Sequence, residues 1–407
     1  MKMSLVIICS ILSIIPTASF NNKDNPKDEI TVAAYYFPNY HPDKRNSKFH
    51  GKGWTEWELV KSAVPRFDGH HQPNVPLWGY TDESDPKQMS QKIEAASSHG
   101  IDVFIFDWYY YNDGLFLERG LENGFMNAAN KEEMKFALMW ANHDWVDIHP
   151  IKLNEQGEMY SPILFQGTLT IDSWDKMTDY VVEIYFEDES YWLIDGCPYF
   201  SIYDITRFID IFGSVEGAIQ GIKRFKQKVI AAGFKGLHLN AVVWGNTILP
   251  SEEKITNAEE LCANMGFSST TSYVWIHHVY LNRYPETPYQ YVEEKYFQYA
   301  EEVLIKTNLP YYPNVTMGWD ASPRCARDAE LKDYGYPCMA RISENSPEAF
   351  KGALMRTREL LENNQKTNNI CNINCWNEWT EGSYLEPDTI HGFAYLEAIK
   401  EVFGEKD

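Results

Sequence analysis

Short apolar runs recur along the chain, and they are separated by segments in which apolar residues repeat at helical spacing. The runs are almost continuously apolar and rich in β-branched and aromatic residues, which is typical of strands buried on both faces. Eight such strands are predicted, at residues 31–37, 103–108, 135–140, 199–203, 237–244, 270–276, 315–319 and 370–376.

Amphipathic patterns between these runs predict helices at residues 86–99, 173–186, 217–232, 289–304 and 347–363. Ser346 followed by Pro347 is a typical helix start, and Gly100 and Gly233 are typical stops. Strands that alternate with helices form parallel sheets, and eight of them close a (β/α)8 TIM barrel. The alternative is an open doubly wound sheet. It lacks support, because no GxGxxG follows a strand and no GxxxxGKS/T loop is present.

Two connections in this pattern are unusually long, residues 39–85 and 142–174. Long connections in a compact fold tend to be functional. Both follow predicted strands, so in a barrel both would lie over the C-terminal face, where the active sites of this fold are found.

The first residues have the pattern of a secretory signal peptide. Lys2 precedes an apolar run at residues 5–15, which is too short to span a bilayer, and small residues follow Pro16. No later segment reaches the roughly 18 apolar residues of a membrane helix, so no integral membrane segment is expected in the mature chain. The predicted division is a signal peptide at 1–19, a linker at 20–29 and one catalytic barrel domain at 30–403. The expected location is therefore outside the cytoplasm, periplasmic or secreted.

The composition narrows the class of protein. The net charge of −22 excludes a nucleic-acid binder, because phosphate contacts need basic residues. The 13 Trp, 26 Tyr and 21 Phe residues suit either a large aromatic core or a carbohydrate site, where aromatic faces stack on sugars. Six cysteines follow the signal peptide without CxxC spacing and leave their pairing open. Cys371 and Cys375 are expected to be core residues.

Nearly every predicted strand ends in an aromatic residue beside a carboxylate, amide or imidazole group. Aromatic platforms among hydrogen-bonding groups are typical of a carbohydrate cleft, so the expected partner is a poly- or oligosaccharide. The expected sugar platforms include Tyr36, Trp54, Trp57, Trp140 and Trp319. Further expected substrate contacts are Glu56, His71, Asp107, Asn142, Asp320, Asn377, Trp379 and Glu386. For Asp107, pairing with a residue such as Arg324 is the alternative.

The sharpest local feature is the pair Glu378 and Glu381 at the end of the last strand. Residues three apart share a face in a turn, where their Cβ atoms lie about 5–6 Å from each other. Two carboxyls that close cannot both ionise freely, so one can hold a proton at neutral pH. One acid and one base are what glycoside cleavage requires, and a short separation favours retention of configuration. The alternative is an exposed acidic turn.

Several motifs resemble the WbsX-type proteins, which are often labelled glycosyltransferases and are related to glycoside hydrolase family 99. They run in order from about residue 31 to residue 398: AYYFPNYH at 34–41, GWTEW at 53–57, GHHQP at 69–73, WAN at 140–142, and WNEWTEG at 376–382 with LEP at 385–387. The resemblance to family 99 proper is narrower and rests mainly on the last segment.

This resemblance implies a (β/α)8 barrel and a retaining glycosidase, with an α-mannoside as a candidate substrate. It implies that Glu378 is the base toward the sugar 2-hydroxyl, giving an anhydro-sugar intermediate, and that Glu381 protonates the leaving oxygen. One departure is Asp107, which stands where WbsX-type proteins usually have an aromatic residue.

The favoured hypothesis is therefore an exported retaining glycoside hydrolase that needs no metal or other cofactor. The adjacent pairs His70–His71 and His277–His278 are poor metal sites, because neighbouring side chains diverge.

The alternative functions are a glycosyltransferase and a glycan-binding barrel without catalysis. The sugar, endo or exo action and the oligomeric state stay open.

Overall fold

The computed structural model describes residues 29–249 and 252–404. The predicted signal peptide and nearly all of the predicted linker lie outside the described residues. The centre of the fold is a parallel sheet that curls into a barrel. Its strands are β1 (Thr31–Tyr36), β2 (Val103–Tyr111), β3 (Lys135–Trp140), β4 (Cys197–Ile202), β5 (His238–Val242), β6 (Ser269–Thr271), β7 (Tyr311–Tyr312), β8 (Asn314–Thr316) and β9 (Ile370–Asn374).

The sheet closes into a barrel because two short strands, β7 and β8, together fill its seventh position. The strand β7 pairs with β6, with Thr270 opposite Tyr311, and β8 pairs with β9, with Asn314 opposite Asn372. The remaining neighbours are parallel, and β9 returns to β1 with Thr31 opposite Ile370. The predicted (β/α)8 barrel is confirmed.

The sixth and seventh strands differ from their predicted bounds. Pro313 separates β7 from β8 and has no N–H to donate to a ladder. After β6 the chain leaves the sheet, because the Trp275 N–H donates to the Thr316 hydroxyl at 3.0 Å rather than to a neighbouring strand. A short 3₁₀ turn, Trp275–His277, replaces the predicted end of the sixth strand.

Helices pack around the barrel and join its strands. They are α1 (Lys44–His50), α2 (Trp57–Ser62), α3 (Pro86–Ser97), α4 (Ile171–Tyr180), α5 (Ile205–Phe212), α6 (Val215–Ala231), α7 (Ala258–Met265), α8 (Tyr289–Lys306), α9 (Pro347–Asn363) and α10 (Ala394–Phe403). The start of α9 is as predicted, because the Ser346 side chain accepts a hydrogen bond from the Ala349 N–H and Pro347 occupies the first turn.

The interior of the barrel is partly polar, although the strands were predicted to be almost continuously apolar. Ser201 donates to Asn240 at 2.8 Å, and Asn240 donates to Ser269 at 2.8 Å. Across the barrel, Asn372 donates to the Thr271 hydroxyl at 2.6 Å. These bonds satisfy buried polar groups that would otherwise cost free energy of folding.

The two long connections meet beside the C-terminal ends of the strands. The first contains α1 and α2, and the second contains the antiparallel pairs Trp145–Val146 with Ile163–Phe165 and Lys152–Leu153 with Met159–Tyr160. Phe49 of the first and Phe165 of the second pack edge to face with ring centroids 5.7 Å apart.

A disulfide joins Cys325 to Cys338, a pairing that sequence reasoning left open. Cys371 and Cys375 are free and buried, in agreement with their predicted place in the core. Within the described part of the chain, no helix is long and apolar enough to cross a membrane.

Candidate active site

A cavity of about 660 Å³, counted to its open mouth, lies at the C-terminal ends of the barrel strands. Its wall is largely aromatic, with carboxyl, imidazole and guanidinium groups among the rings. The lining residues are Phe37, Asp107, Tyr109, Met139, Ala141, His143, Asp144, Trp145, Val146, Ile148, His149, Tyr203, Ile248, Leu249, Tyr273, Val274, His277, Trp319, Arg324, Tyr336, Glu378 and Glu381.

Glu378 and Glu381 both face this cavity, and a 3₁₀ turn places them together. The turn Trp379–Glu381 follows Glu378 directly and ends at Gly382, which has φ +63°. A side chain at Gly382 would also meet the backbone N of Asp320 at 2.9 Å, so the turn favours glycine on both counts. The turn gives the two carboxyls a common face, as the spacing predicted.

One guanidinium group holds both carboxyls. Arg324 Nη1 lies 2.5 Å from Glu381 Oε1, and Arg324 Nη2 lies 3.5 Å from Glu378 Oε1. Glu381 Oε1 also accepts a hydrogen bond from the Tyr336 hydroxyl at 2.6 Å. Arg324 follows the seventh strand position in a 3₁₀ turn, Ser322–Arg324, so this contact joins the seventh and eighth strand ends.

The electrostatics of the pair keep one proton between its members. Burial raises the pKa of Glu378 well above its usual value, the Glu381 carboxyl raises it further, and Arg324 opposes both. Burial also raises the pKa of Glu381, against the lowering effects of Arg324 and Tyr336. Because Glu381 has the closer contact with Arg324, the free protein favours charge on Glu381 and the proton on Glu378.

A third carboxyl, Asp107, extends this system through Tyr273. The Tyr273 hydroxyl lies 2.8 Å from Asp107 Oδ2 and 2.9 Å from Glu378 Oε2. A phenol has a single hydrogen to donate, so one of these carboxyls must be protonated and donate to the phenol oxygen. Burial raises the pKa of Asp107 well above its usual value, and Asp107 Oδ1 is buried without a hydrogen-bond partner. Asp107 thus pairs with Tyr273 rather than with Arg324, whose guanidinium contacts Glu56, Glu378 and Glu381.

Glu56 is the strongest partner of Arg324 outside the cavity wall. Glu56 Oε1 accepts from Arg324 Nε at 2.8 Å and lies 2.6 Å from Arg324 Nη2. The same oxygen accepts a hydrogen bond from the Thr380 hydroxyl at 2.6 Å. A substrate contact was predicted for Glu56. It is instead fully buried, and its contacts fix the position of the Arg324 guanidinium.

The predicted sugar platforms divide into two groups. Trp319 lines the cavity, and its indole N–H has no hydrogen-bond partner within the described structure. Tyr36, Trp57 and Trp140 are fully or almost fully buried away from the cavity. Trp54 is partly exposed, packs against His50 in a tilted arrangement with centroids 4.3 Å apart and does not line the cavity.

Three of the polar residues predicted to contact substrate instead join neighbouring chain segments. The side-chain amide of Asn142 exchanges two hydrogen bonds of 2.7 Å with the backbone of Asp204. The amide of Asn377 does the same with the backbone of Phe37 at 2.8 Å. Asp320 accepts from Gln72 at 2.8 Å and lies 2.7 Å from His70 Nε2.

The other predicted contacts also lie outside the cavity wall. Glu386 is buried 2.6 Å from Lys92 Nζ and accepts from the Trp379 indole at 2.6 Å. Trp379 itself stacks on Tyr384 with centroids 3.7 Å apart. His71 is exposed, and its Nδ1 lies 3.2 Å from Asn74 Oδ1.

Sequence reasoning missed most of the aromatic side chains that line the cavity: Phe37, Tyr109, Trp145, Tyr203, Tyr273 and Tyr336. A signal existed for Tyr109, because it lies two residues after Asp107 in β2 and residues two apart in a strand share a face. Tyr273 was placed inside the predicted sixth strand, which in the structure already ends at Thr271. Tyr336 lies in an irregular segment, where no periodicity indicates direction.

One cluster in the described chain has the composition of a metal site. Ligand atoms of His50, Asp147 and His149 all lie within 4.8 Å of one another. The cluster lies where the two long connections meet, and His149 lines the cavity.

Comparison with known proteins supports the resemblance. Residues 32–399 match the family model described as glycosyltransferase WbsX. Two curated relatives named WxcX, from two strains of Xanthomonas campestris pv. campestris, are 26% identical over 375 residues. The match covers 91% of this chain and 49% of theirs, so the chain spans about half the length of these relatives.

Solved structures share the barrel at low sequence identity. A GH99 endo-α-mannosidase from Bacteroides thetaiotaomicron superposes with a TM-score of 0.52 and 14% identity, over 91% of this chain and 95% of the other. A glycoside hydrolase-like protein superposes with a TM-score of 0.57 and 13% identity, over 93% and 95% of the two chains. At such identities the likeness shows the fold.

Proposed function

Since the chain belongs to the WbsX glycosyltransferase family and has a barrel like that of GH99 glycosidases, we propose that it is a retaining glycoside hydrolase. The observation that supports this most directly is the pair Glu378 and Glu381 on one guanidinium group in an aromatic cavity. Cleavage of a glycosidic bond needs one group that gives a proton and one that takes or replaces it. Two coupled carboxyls with one proton provide both.

The proposed reaction follows the roles implied by the family resemblance. Glu378 takes the proton of the sugar 2-hydroxyl, whose oxygen bonds to the anomeric carbon while the bond to the leaving oxygen breaks. Glu381 gives its proton to that leaving oxygen. Water then opens the anhydro sugar as the two carboxyls reverse their roles, which gives net retention.

These roles require a proton on Glu381, whereas the hydrogen bonds of the free protein favour a proton on Glu378. The two carboxyls titrate as a pair, so substrate that displaces part of this network can change which of them holds the proton. The alternative within the same proposal is the reverse order, with Glu378 as acid and Glu381 as base or direct nucleophile.

The proposed substrate is a poly- or oligosaccharide, with an α-mannoside as the first to be tried. Trp319 offers an aromatic face and an unpartnered indole N–H at the cavity, which suits a sugar ring with hydroxyl groups. Export is proposed as well. The disulfide between Cys325 and Cys338 supports it, because disulfides persist in oxidising compartments. The mass of the mature protein and its compartment test this point.

The family name makes a glycosyltransferase the second candidate, and a glycan-binding barrel is the third. A panel of polysaccharides, incubated with wild-type protein and with Glu381→Gln and Glu378→Gln, separates the three. Reducing ends released by wild type and lost in the variants support hydrolysis. Sugar transfer from a nucleotide-sugar donor without such release supports the transferase. Glycan binding that is the same in all three proteins, without either reaction, supports the binder.

A further inference from the structure

We propose that His50, Asp147 and His149 form a binding site for a divalent transition-metal ion of the zinc class at the rim of the cavity. A ring nitrogen of each imidazole and a carboxylate oxygen of Asp147 all lie within 4.8 Å of one another. The three ligands come from both long connections, His50 from the end of α1 and the other two from the segment after β3.

The two imidazoles have spare coordinating capacity. Nε2 of His50 and Nδ1 of His149 are buried and have no hydrogen-bond partner within the described structure. A buried polar atom without a partner costs free energy, which a metal–nitrogen bond would offset.

The surroundings of the cluster also suit a metal. Glu56 Oε2 lies 3.8 Å from His149 Nε2, so a carboxylate faces the ring nitrogen other than the unpartnered Nδ1. Among the described residues, the Asp147 carboxylate forms an ion pair only with Lys152, at 3.5 Å, and that lysine side chain is 68% exposed. An ion would displace Lys152 at little cost, because exposed ion pairs contribute little.

The geometry needs only a small adjustment. Ligand atoms of a four-coordinate zinc ion stand about 3.3–3.5 Å apart, given bonds near 2.0–2.1 Å. His50 is only partly buried, so its ring can turn toward the other two. Imidazole nitrogen with one carboxylate oxygen suits zinc and its first-row neighbours rather than calcium or magnesium. Three protein ligands leave one position open, and since His149 lines the cavity, water or a sugar hydroxyl can fill it.

The experiment uses the full chain without a histidine tag, stripped with a chelator and titrated with Zn²⁺ by calorimetry. Co²⁺ serves as a second probe, because its visible absorption reports the coordination number. We expect one ion per chain. His149→Ala and His50→Ala should weaken binding by more than the about 10–100-fold that loss of an outer-shell partner costs.

Asp147→Asn is the variant that keeps the shape of the side chain, and a thermal unfolding scan of each variant verifies that it is folded. The exposed His71, which lies outside the cluster, provides the control His71→Ala, whose affinity should equal that of the wild type. The proposal is overturned if the folded wild type shows no saturable binding of Zn²⁺ or Co²⁺. It is equally overturned if His50→Ala and Asp147→Asn bind these ions as the wild type does.

Discussion

Two buried clusters of charged side chains lie near the same end of the barrel, and their charge balance differs. The cavity cluster consists of Glu56, Asp107, Arg324, Glu378 and Glu381, with four carboxyls to a single guanidinium. The α3 cluster consists of His41, Glu83, Lys92 and Glu386. In the α3 cluster each carboxyl has its own basic partner, Glu83 with His41 at 2.9 Å and Glu386 with Lys92 at 2.6 Å.

This difference in charge balance indicates a structural role for the α3 cluster and a functional role for the cavity cluster. A buried ion pair with matched charges fixes the position of its chain segments, because removal of one partner leaves the other uncompensated. A buried excess of carboxyls keeps protons at neutral pH and is typical of a functional site when it lines a cavity. Both clusters contain residues of the same C-terminal motif, so the motif supports the barrel through Glu386 and the cavity through Glu378 and Glu381.

The largest expected effect is on activity in the cavity cluster. Glu378→Gln and Glu381→Gln should each lower hydrolysis of an unactivated substrate by about 10²–10⁴-fold, the usual contribution of general acid–base catalysis. The exposed Glu58→Gln serves as the control and should leave the rate unchanged. Rates are measured as reducing ends released, beside unfolding curves showing that all three variants are folded.

The same variants assign the roles when activated aryl glycosides are compared with natural linkages. An activated leaving group departs without protonation, so loss of the acid should be much less severe on aryl glycosides. The resemblance predicts that Glu381→Gln loses much less activity on aryl glycosides than on natural linkages, whereas Glu378→Gln loses activity on both. The opposite result would assign the acid to Glu378, as the hydrogen bonds of the free protein favour. A substrate without its 2-hydroxyl should be inert if the reaction passes through the anhydro sugar.

The second prediction concerns stability in the α3 cluster. Lys92→Met should lower the free energy of unfolding by about 3–5 kcal/mol, because it leaves Glu386 buried without its cation. Adding Glu386→Gln should recover much of that loss. Denaturant unfolding of the single and double variants measures both. A change below about 1 kcal/mol in Lys92→Met would show that the two clusters do not differ in the way argued.

The third prediction compares two tryptophans. Trp319→Ala should weaken sugar binding by about 1–3 kcal/mol, the value of burying one large side chain, because Trp319 lines the cavity. Trp54→Ala should change binding much less, since Trp54 packs against His50 outside the cavity wall. Calorimetry with an oligosaccharide on the inactive Glu381→Gln background measures both. Equal losses would place substrate over Trp54 as well.

The barrel could be predicted because its signals are local. Each buried strand is a short apolar run, and the start of α9 carries its own cap. The predicted bounds of the sixth and seventh strands were wrong, because long-range contacts determine where β6 and β8 end. Pro313 interrupts the ladder there, and the Thr316 hydroxyl takes the Trp275 N–H.

The candidate site could be predicted only where geometry is local. The spacing of Glu378 and Glu381 within one turn needs no tertiary information. Which face of a strand a residue occupies depends on register, and a shift by one residue reverses it. Met139 lines the cavity, for example, whereas the adjacent Trp140 packs on Trp174 of α4, with centroids 5.6 Å apart.

The smallest expected effect is the pH dependence contributed by Asp107. Its raised folded-state pKa means that the folded protein keeps a proton that the unfolded chain releases above about pH 4. The folded state therefore binds more protons, and stability falls as the pH rises above that value. Asp107→Asn removes this fall. It should raise the free energy of unfolding at pH 7 by on the order of 1 kcal/mol, since the folded protein then no longer has to take up a proton at this position.

Asp320 supplies the matched control of opposite sign, because it is a buried carboxyl with partners. Burial raises its pKa, but His70 and Gln72 outweigh that and lower it to about 2. The ionised Asp320 carboxylate stabilises the folded protein above about pH 4, the pKa in the unfolded chain. This contribution is lost as the pH falls toward 2. Asp320→Asn should therefore lower the free energy of unfolding at pH 7 by about 2 kcal/mol. Denaturant unfolding from pH 4 to pH 8 should move the two variants in opposite directions from the wild type. If Asp107→Asn were destabilising at pH 7, its carboxyl would be charged and paired there, and the excess of protonated carboxyls that distinguishes the cavity cluster would not exist.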